Sequence, residues 1–185
     1  MQREELKNCT ACELCKTRTQ VVFGKGPSHP LLFLVGEGPG EEEDRLGEPF
    51  VGKAGQKLDK ILSYIGLNRD EVYITNSVLC RPPDNRIPKS EELLACRARL
   101  FHEIQTLKPR LIIALGKTAF TQLTGKAPKV TLRKLLNSEF TVEGIRTRVT
   151  YHPAFHLRSP ERAYQHTLPH WTEIKEWIKT IKLNA

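Results

Sequence analysis

No apolar run in this 185-residue chain approaches the roughly 20 residues that a membrane-spanning helix needs, so no membrane association is expected. The opening residues, Met1-Gln2-Arg3-Glu4-Glu5, are too polar for a signal peptide, and a cytoplasmic location is the expectation. Internal repeats, low-complexity tracts and linker-like stretches are missing, which excludes a repeat array and leaves one domain over residues 1–185, expected to be a monomer. Acidic residues are in deficit, 21 against 29 basic, for a formal charge of +8. That excess favours a polyanionic partner, because each phosphate neutralised by Lys or Arg releases bound counterions. The apolar fraction, 39%, is that of a globular protein rather than a disordered one.

A glycine-rich stretch, Gly36-Glu37-Gly38-Pro39-Gly40, follows the short apolar run Leu31–Val35. It lacks the Lys-Ser/Thr of a P-loop and the G-x-G-x-x-G of a dinucleotide site. The four carboxylates that follow, Glu41 to Asp44, would repel a phosphate. A small-nucleotide enzyme of the Rossmann kind is therefore the weakest of the candidate readings.

Hydrophobic patterning predicts buried strands at 31–35, 72–76 and 111–115. Between and after them lie helical patterns. One places Ala54, Leu58, Ile61, Leu62 and Ile65 on a face, and a second runs from Ser90 to about Leu107. A third spans Lys117 to Leu123 and stops at Gly125, and the chain closes on an amphipathic helix through Trp171, Ile174, Trp177, Ile178 and Ile181. Residues 140–143 and 146–151 suggest a hairpin, and His152-Pro153 opens a loop. Alternating strands and helices imply a three-layer α/β/α fold around a central, mostly parallel, four-stranded sheet. Ligands of such sheets sit beyond the C-terminal strand ends, where Gly36–Gly40, Asn76 and His152 all fall.

Five cysteines in a reducing compartment argue against disulfides. Cys9, Cys12 and Cys15 stand at C-x2-C-x2-C spacing, and Cys80 and Cys96 bracket a proline-rich loop. Such a set suits metal ligation, and both zinc and a [4Fe–4S] cluster accept four thiolates. The spacing leaves the two open.

Several further motifs occur in order: Arg18-Thr19-Gln20-Val21-Val22-Phe23-Gly24, Gly47-Glu48-Pro49-Phe50-Val51-Gly52, Ile74-Thr75-Asn76, Cys80-Arg81-Pro82-Pro83, and His152-Pro153 leading to Leu157-Arg158-Ser159-Pro160. With Gly36–Asp44 they resemble the family-four, iron–sulfur uracil-DNA glycosylases over roughly residues 9 to 160. The resemblance implies a DNA-repair enzyme that flips uracil out of single- or double-stranded DNA and hydrolyses its glycosidic bond.

It makes Glu37 and His152 catalytic, and it puts Gly38, Glu43, Phe50 and Asn76 against the base. Phe50 would stack on uracil, Asn76 would read O4 and N3–H, and Glu43 would obstruct the methyl group of thymine. Leu157 would fill the gap left by the flipped base, with Arg158 and Arg162 on phosphates; Phe155-His156 stands where the family more usually has smaller or aliphatic residues. The implied ligands of a [4Fe–4S] cluster are Cys9, Cys12, Cys80 and Cys96, which leaves Cys15 spare. Two rival readings remain, a non-catalytic iron–sulfur DNA-binding module and a uracil-binding protein that traps the base-free sugar covalently. The latter carries a basic, histidine-bearing insertion where this chain has only Arg81–Arg86.

Overall fold

The computed structural model describes residues 3–136 and 138–183, without the side chains of residues 162–164 and 183. The phosphate contact expected of Arg162 therefore lies outside the described residues. Strands β1 (Leu32–Gly36), β2 (Val72–Asn76) and β3 (Leu111–Leu115) are buried along their whole length, as near-continuous apolar runs must be in a sheet covered on both faces. They are joined by β4 (Glu139–Val142) and β5 (Ile145–Thr150) in the order β2-β1-β3-β5-β4. All neighbours are parallel except β4, which pairs antiparallel with β5. The sheet thus has five strands rather than the expected four. The hairpin's first strand adds to the edge, and because it is half exposed its apolar signal is weak.

Alternation along each strand splits the core. Leu32, Leu34, Ile74, Ile113 and Leu115 pack against Leu58, Ile61 and Leu62 of α3 (Lys53–Tyr64) and Trp171, Ile174 and Ile178 of α8 (Pro160–Leu183). Phe33, Val35, Tyr73, Ile112 and Ala114 face Leu100 and Ile104 of α4 (Ser90–Leu107) and Ala119 and Leu123 of α5 (Lys117–Thr124). A third apolar cluster, of Leu14, Val21, Val78, Leu79 and Cys80, joins the N-terminal segment to the loop after β2. That segment holds α1 (Arg3–Lys7) and a 3-10 turn, Glu13–Lys16.

Two stretches outside the predicted helices are helical. The acidic run forms α2 (Glu41–Leu46), whose first turn gathers all four carboxylates at the positive end of the helix. The segment after His152 is α7 (Pro153–Arg158), with His152 as its N-cap and Pro153 at the first helical position, where a missing N–H costs nothing. A further short helix, α6 (Leu132–Leu135), precedes β4. Chain order reverses between β1 and β3, so the loops leaving these strands diverge and open a crevice at the C-terminal edge of the sheet.

Candidate active site

A cavity of about 440 Å³ fills that crevice. It is lined by Glu37 and Gly38 from the loop after β1, Glu43 from α2, Phe50, Asn76 at the end of β2, His152 after β5, and Arg158 of α7. Elements far apart in sequence therefore deliver Glu37, Gly38, Glu43, Phe50, Asn76 and His152, the residues expected around the base, to one space.

Asn76 is 2% exposed, and its side-chain oxygen has no hydrogen-bond partner. Leaving such an atom unpaired costs about 1–3 kcal/mol, a penalty that an N–H of a bound molecule would relieve. The backbone around Asn76 is held rigidly. Buried Arg99 donates to the Asn76 carbonyl at 2.8 Å, to Ser77 O at 3.3 Å and to Thr75 Oγ1 at 3.1 Å. Gln122 donates to Ser77 O at 3.1 Å. Gly36 is the opposite partner of Asn76 in the sheet, and a Cβ there would collide with the Asn76 amide and the Phe50 ring. Only glycine permits that approach.

Phe50 is both core and cavity wall. It is buried, adopts a left-handed backbone (φ 55°) and sets its ring 5.6 Å from that of His152. The unusual conformation is pinned from two sides. Arg69, paired with Asp59 at 2.6 Å, donates to the carbonyls of Pro49 and Phe50. Glu43 Oε1 accepts from the amides of Val51 and Gly52 at 2.9 and 2.8 Å, and its other oxygen accepts from Gly40 N at 3.0 Å. Of the acidic run, then, Glu43 turns inward as a wall and anchor. Buried Asp44 ties down the Thr19 amide at 3.0 Å, while Glu41 and Glu42 stay in solvent.

His152 Nδ1 accepts from the Ala154 amide at 3.2 Å. The ring's proton is therefore on Nε2, free to donate into the cavity. Burial, with a smaller contribution from the charge of Arg158, pushes the imidazole pKa down to about 4, so it is neutral at neutral pH. Opposite stands Glu37, one oxygen of which accepts from Thr118 Oγ1 at 2.5 Å. Thr118 was invisible to sequence reasoning: it lies 81 positions away and belongs to no motif. Arg99, Gln122 and Arg69 were missed for the same reason.

Within α7, Phe155 stacks on Tyr151 at 4.3 Å, and His156 is buried with Nε2 3.3 Å from Thr167 Oγ1. That leaves Leu157, 48% exposed, and exposed Arg158 as the side chains this helix presents outward. Residues 81–86 contain a 3-10 turn, Pro83–Asn85, and no histidine.

The thiols also gather. Burial, foremost, and the charges of Cys96 and Cys12 push Cys80 up to about 11, despite a bond from Arg18 to its sulfur at 3.3 Å. Cys12 is raised by burial and by the neighbouring Cys96, Glu92 and Cys9. Cys12 thus lies near Cys9 and Cys96, and Cys80 near Cys12 and Cys96, while Cys15 is not among the groups acting on Cys12 or Cys80. Among the described residues no three His, Cys, Asp or Glu side chains converge as around a single metal ion. A cubane cluster, which binds each thiolate to a different iron, does not require that convergence.

The family model described as the uracil DNA glycosylase superfamily matches residues 23–179 of this chain, which belongs to that superfamily. Its similarity is divided unequally among the branches. A type-4 uracil-DNA glycosylase of Thermotoga maritima is 44% identical over 158 residues, covering 84% of this chain and 81% of that protein. One of Pyrobaculum aerophilum is 45% identical over 163 residues, covering 85% and 83%. A type-5 uracil-DNA glycosylase of the same organism is 31% identical over 144 residues, covering 70% and 63%. The chain is a member of the type-4 group.

Proposed function

We propose that this protein excises uracil from DNA by hydrolysing the N-glycosidic bond, leaving an abasic site. The observation that carries the reading is that Asn76, whose buried side-chain oxygen has no partner, lines one cavity with Phe50, His152 and Glu37.

The target nucleotide leaves the base stack and its base enters the cavity against Phe50. The Asn76 oxygen accepts from uracil N3–H while its NH2 donates to O4. Cytosine, with an unprotonated N3 and an amino group, opposes a fixed amide with the wrong polarity at both positions. As the bond from C1′ to N1 breaks, its electron pair moves onto N1 and O2. Neutral His152 donates from Nε2 to O2 without first having to lose a proton, a hydrogen bond that strengthens as charge develops. Glu37 faces the sugar, where positive charge accumulates. It orients the water whose oxygen bonds to C1′, and it accepts that water's proton or passes it to solvent. Thr118 holds one Glu37 oxygen and leaves the other to the water.

Cys9, Cys12, Cys80 and Cys96 would hold a [4Fe–4S] cluster, which when bound would cross-link the N-terminal segment to the loop after β2 and to α4. Supporting this are the proximity of Cys12 to Cys9, Cys80 and Cys96, the apolar cluster around Cys12, Cys80 and Cys96, and the resemblance of the sequence to an iron–sulfur family. Iron and acid-labile sulfide analysis of anaerobically purified protein tests it, with zinc in their place as the result against it.

The functional test is cleavage of labelled oligonucleotides bearing one uracil, with cytosine and thymine controls, followed by hot alkali. Breaks at uracil alone are expected, and none from cluster-replete protein would reject the reading. His152→Ala should raise the excision barrier by about 3–4 kcal/mol while DNA affinity hardly changes. Equal losses in rate and affinity would refute its assigned role.

A further inference from the structure

Glu37 and His152 do not close the end of the base cavity; they stand between it and another. A second cavity, of about 390 Å³, shares both side chains and is lined beyond them by Lys117, Arg133, Tyr151 and Phe155. Tyr151 and Phe155 stack within 15° of parallel and are only half-buried. Lys117 and Arg133 are exposed, and neither has an acidic partner among the described residues. They belong to a stretch, 117–134, that also carries Lys126, Lys129 and Lys134 and not one carboxylate.

The scissile bond joins the base to its sugar. With the base in the first cavity, the sugar lies at Glu37 and His152, and one arm of the phosphodiester chain must leave past them. A groove that begins there, cationic and floored by an aromatic pair, combines the two features that bind unpaired nucleic acid: charge for phosphates and a π-face for a base. We infer that the second cavity is a subsite for the nucleotide adjoining the excised uracil, with its base on the Tyr151–Phe155 pair and its phosphate on Lys117 and Arg133. This rests on the proposed reaction and adds a substrate preference. A flanking base held on protein aromatics is not paired with an opposite strand, so single-stranded substrate binds more tightly than duplex.

The test is equilibrium binding, by fluorescence anisotropy, of short oligonucleotides carrying one 2′-fluorinated deoxyuridine that resists hydrolysis. In two of them the base on the 5′ or the 3′ side of the uracil is replaced by an abasic spacer. Removing one of the two flanking bases should weaken binding to the native protein about tenfold, the order of one lost base–aromatic stack, and should cost the Phe155→Ala protein nothing further. Arg133→Gln and Lys117→Gln, both at exposed positions, should each reduce the slope of log affinity against log salt by about 0.7. Indifference to both flanking bases, an equal loss in native and Phe155→Ala proteins, an unchanged salt slope, or tighter binding of duplex would each overturn the subsite. Because affinity is read rather than turnover, a protein that binds these strands but leaves uracil in place fails the proposed reaction alone. Excision without any flank dependence fails the subsite alone.

Discussion

At the scale of single residues, the site is organised by side chains whose hydrogen-bonding capacity is already spent on the protein, so that what remains is aimed at the cavity. Thr118 donates to one oxygen of Glu37, and in the proposed reaction the other oxygen is the one that meets water. Thr118→Val, which keeps the shape and removes the donor, should lower the single-turnover excision rate on the order of tenfold, since the carboxylate loses the hydrogen bond that holds it in place. DNA affinity should stay within twofold, about RT in free energy, and Thr118→Ser should restore the rate. A rate unaffected by the valine would show that the contact does not position the carboxylate. Glu43 is the converse case. The resemblance suggests a barrier to the thymine methyl group, and the structure adds three backbone amides anchored on the same carboxylate. Glu43→Gly should therefore admit thymine and also slow uracil excision on the order of tenfold by freeing the Phe50 loop. Glu43→Gln, which keeps the bulk, should retain selectivity. Rates on matched uracil and thymine oligonucleotides decide between these outcomes.

At the scale of elements, α7 shows how a short helix sorts neighbouring residues between the interior and the surface. Its residues 155 to 158 follow one another in the chain shortly after His152. Helical geometry turns His156 inward to Thr167, sets Phe155 against Tyr151, and leaves Leu157 and Arg158 outside. Leu157→Ala should therefore depress excision from duplex several-fold more than from single strands, because only a duplex leaves a gap to fill. Equal effects on both substrates would remove Leu157 from that role. The reading of this segment as a loop failed because a cap of His-Pro is a weak local signal, and the helix is stabilised by packing on α3 and α8 that no short window contains. By contrast β1, β2, β3 and α3, α4 and α5 were legible, since their periodicity is local.

At the scale of the whole molecule, burial of neutral histidines couples folding to pH. Burial holds both His152 and His156 near a pKa of about 4, well below the ordinary imidazole value. Above the unfolded pKa neither state binds the proton and the stability is fully present. As pH falls from about 6.5 toward 4 the unfolded chain takes up protons that the folded one does not, and stability declines. The melting temperature should fall progressively over that window, and His156→Gln should flatten part of the slope. A Tm independent of pH between 7 and 4.5 would contradict the burial of these rings.

What the sequence determined by itself was what local pattern carries: the α/β class and the positions of β1, β2, β3, α3, α4 and α5, with Glu37, Gly38, Glu43, Phe50, Asn76 and His152 singled out by the short motifs that hold them. What only the tertiary structure decided was which groups meet. Cys80 and Cys96 reach Cys12 because the N-terminal segment packs on the loop after β2, and Thr118 reaches Glu37 because β1 and β3 are neighbours although Asn76 and all of α4 intervene in the chain. The fifth strand, the inward turn of Glu43 and the second cavity beyond Glu37 are likewise products of packing. Hydrophobic periodicity and turn chemistry act over a few residues and can be read along the chain. Hydrogen bonds and cavities form between residues that sequence separates, and they exist only once the burial of apolar faces has brought those residues together.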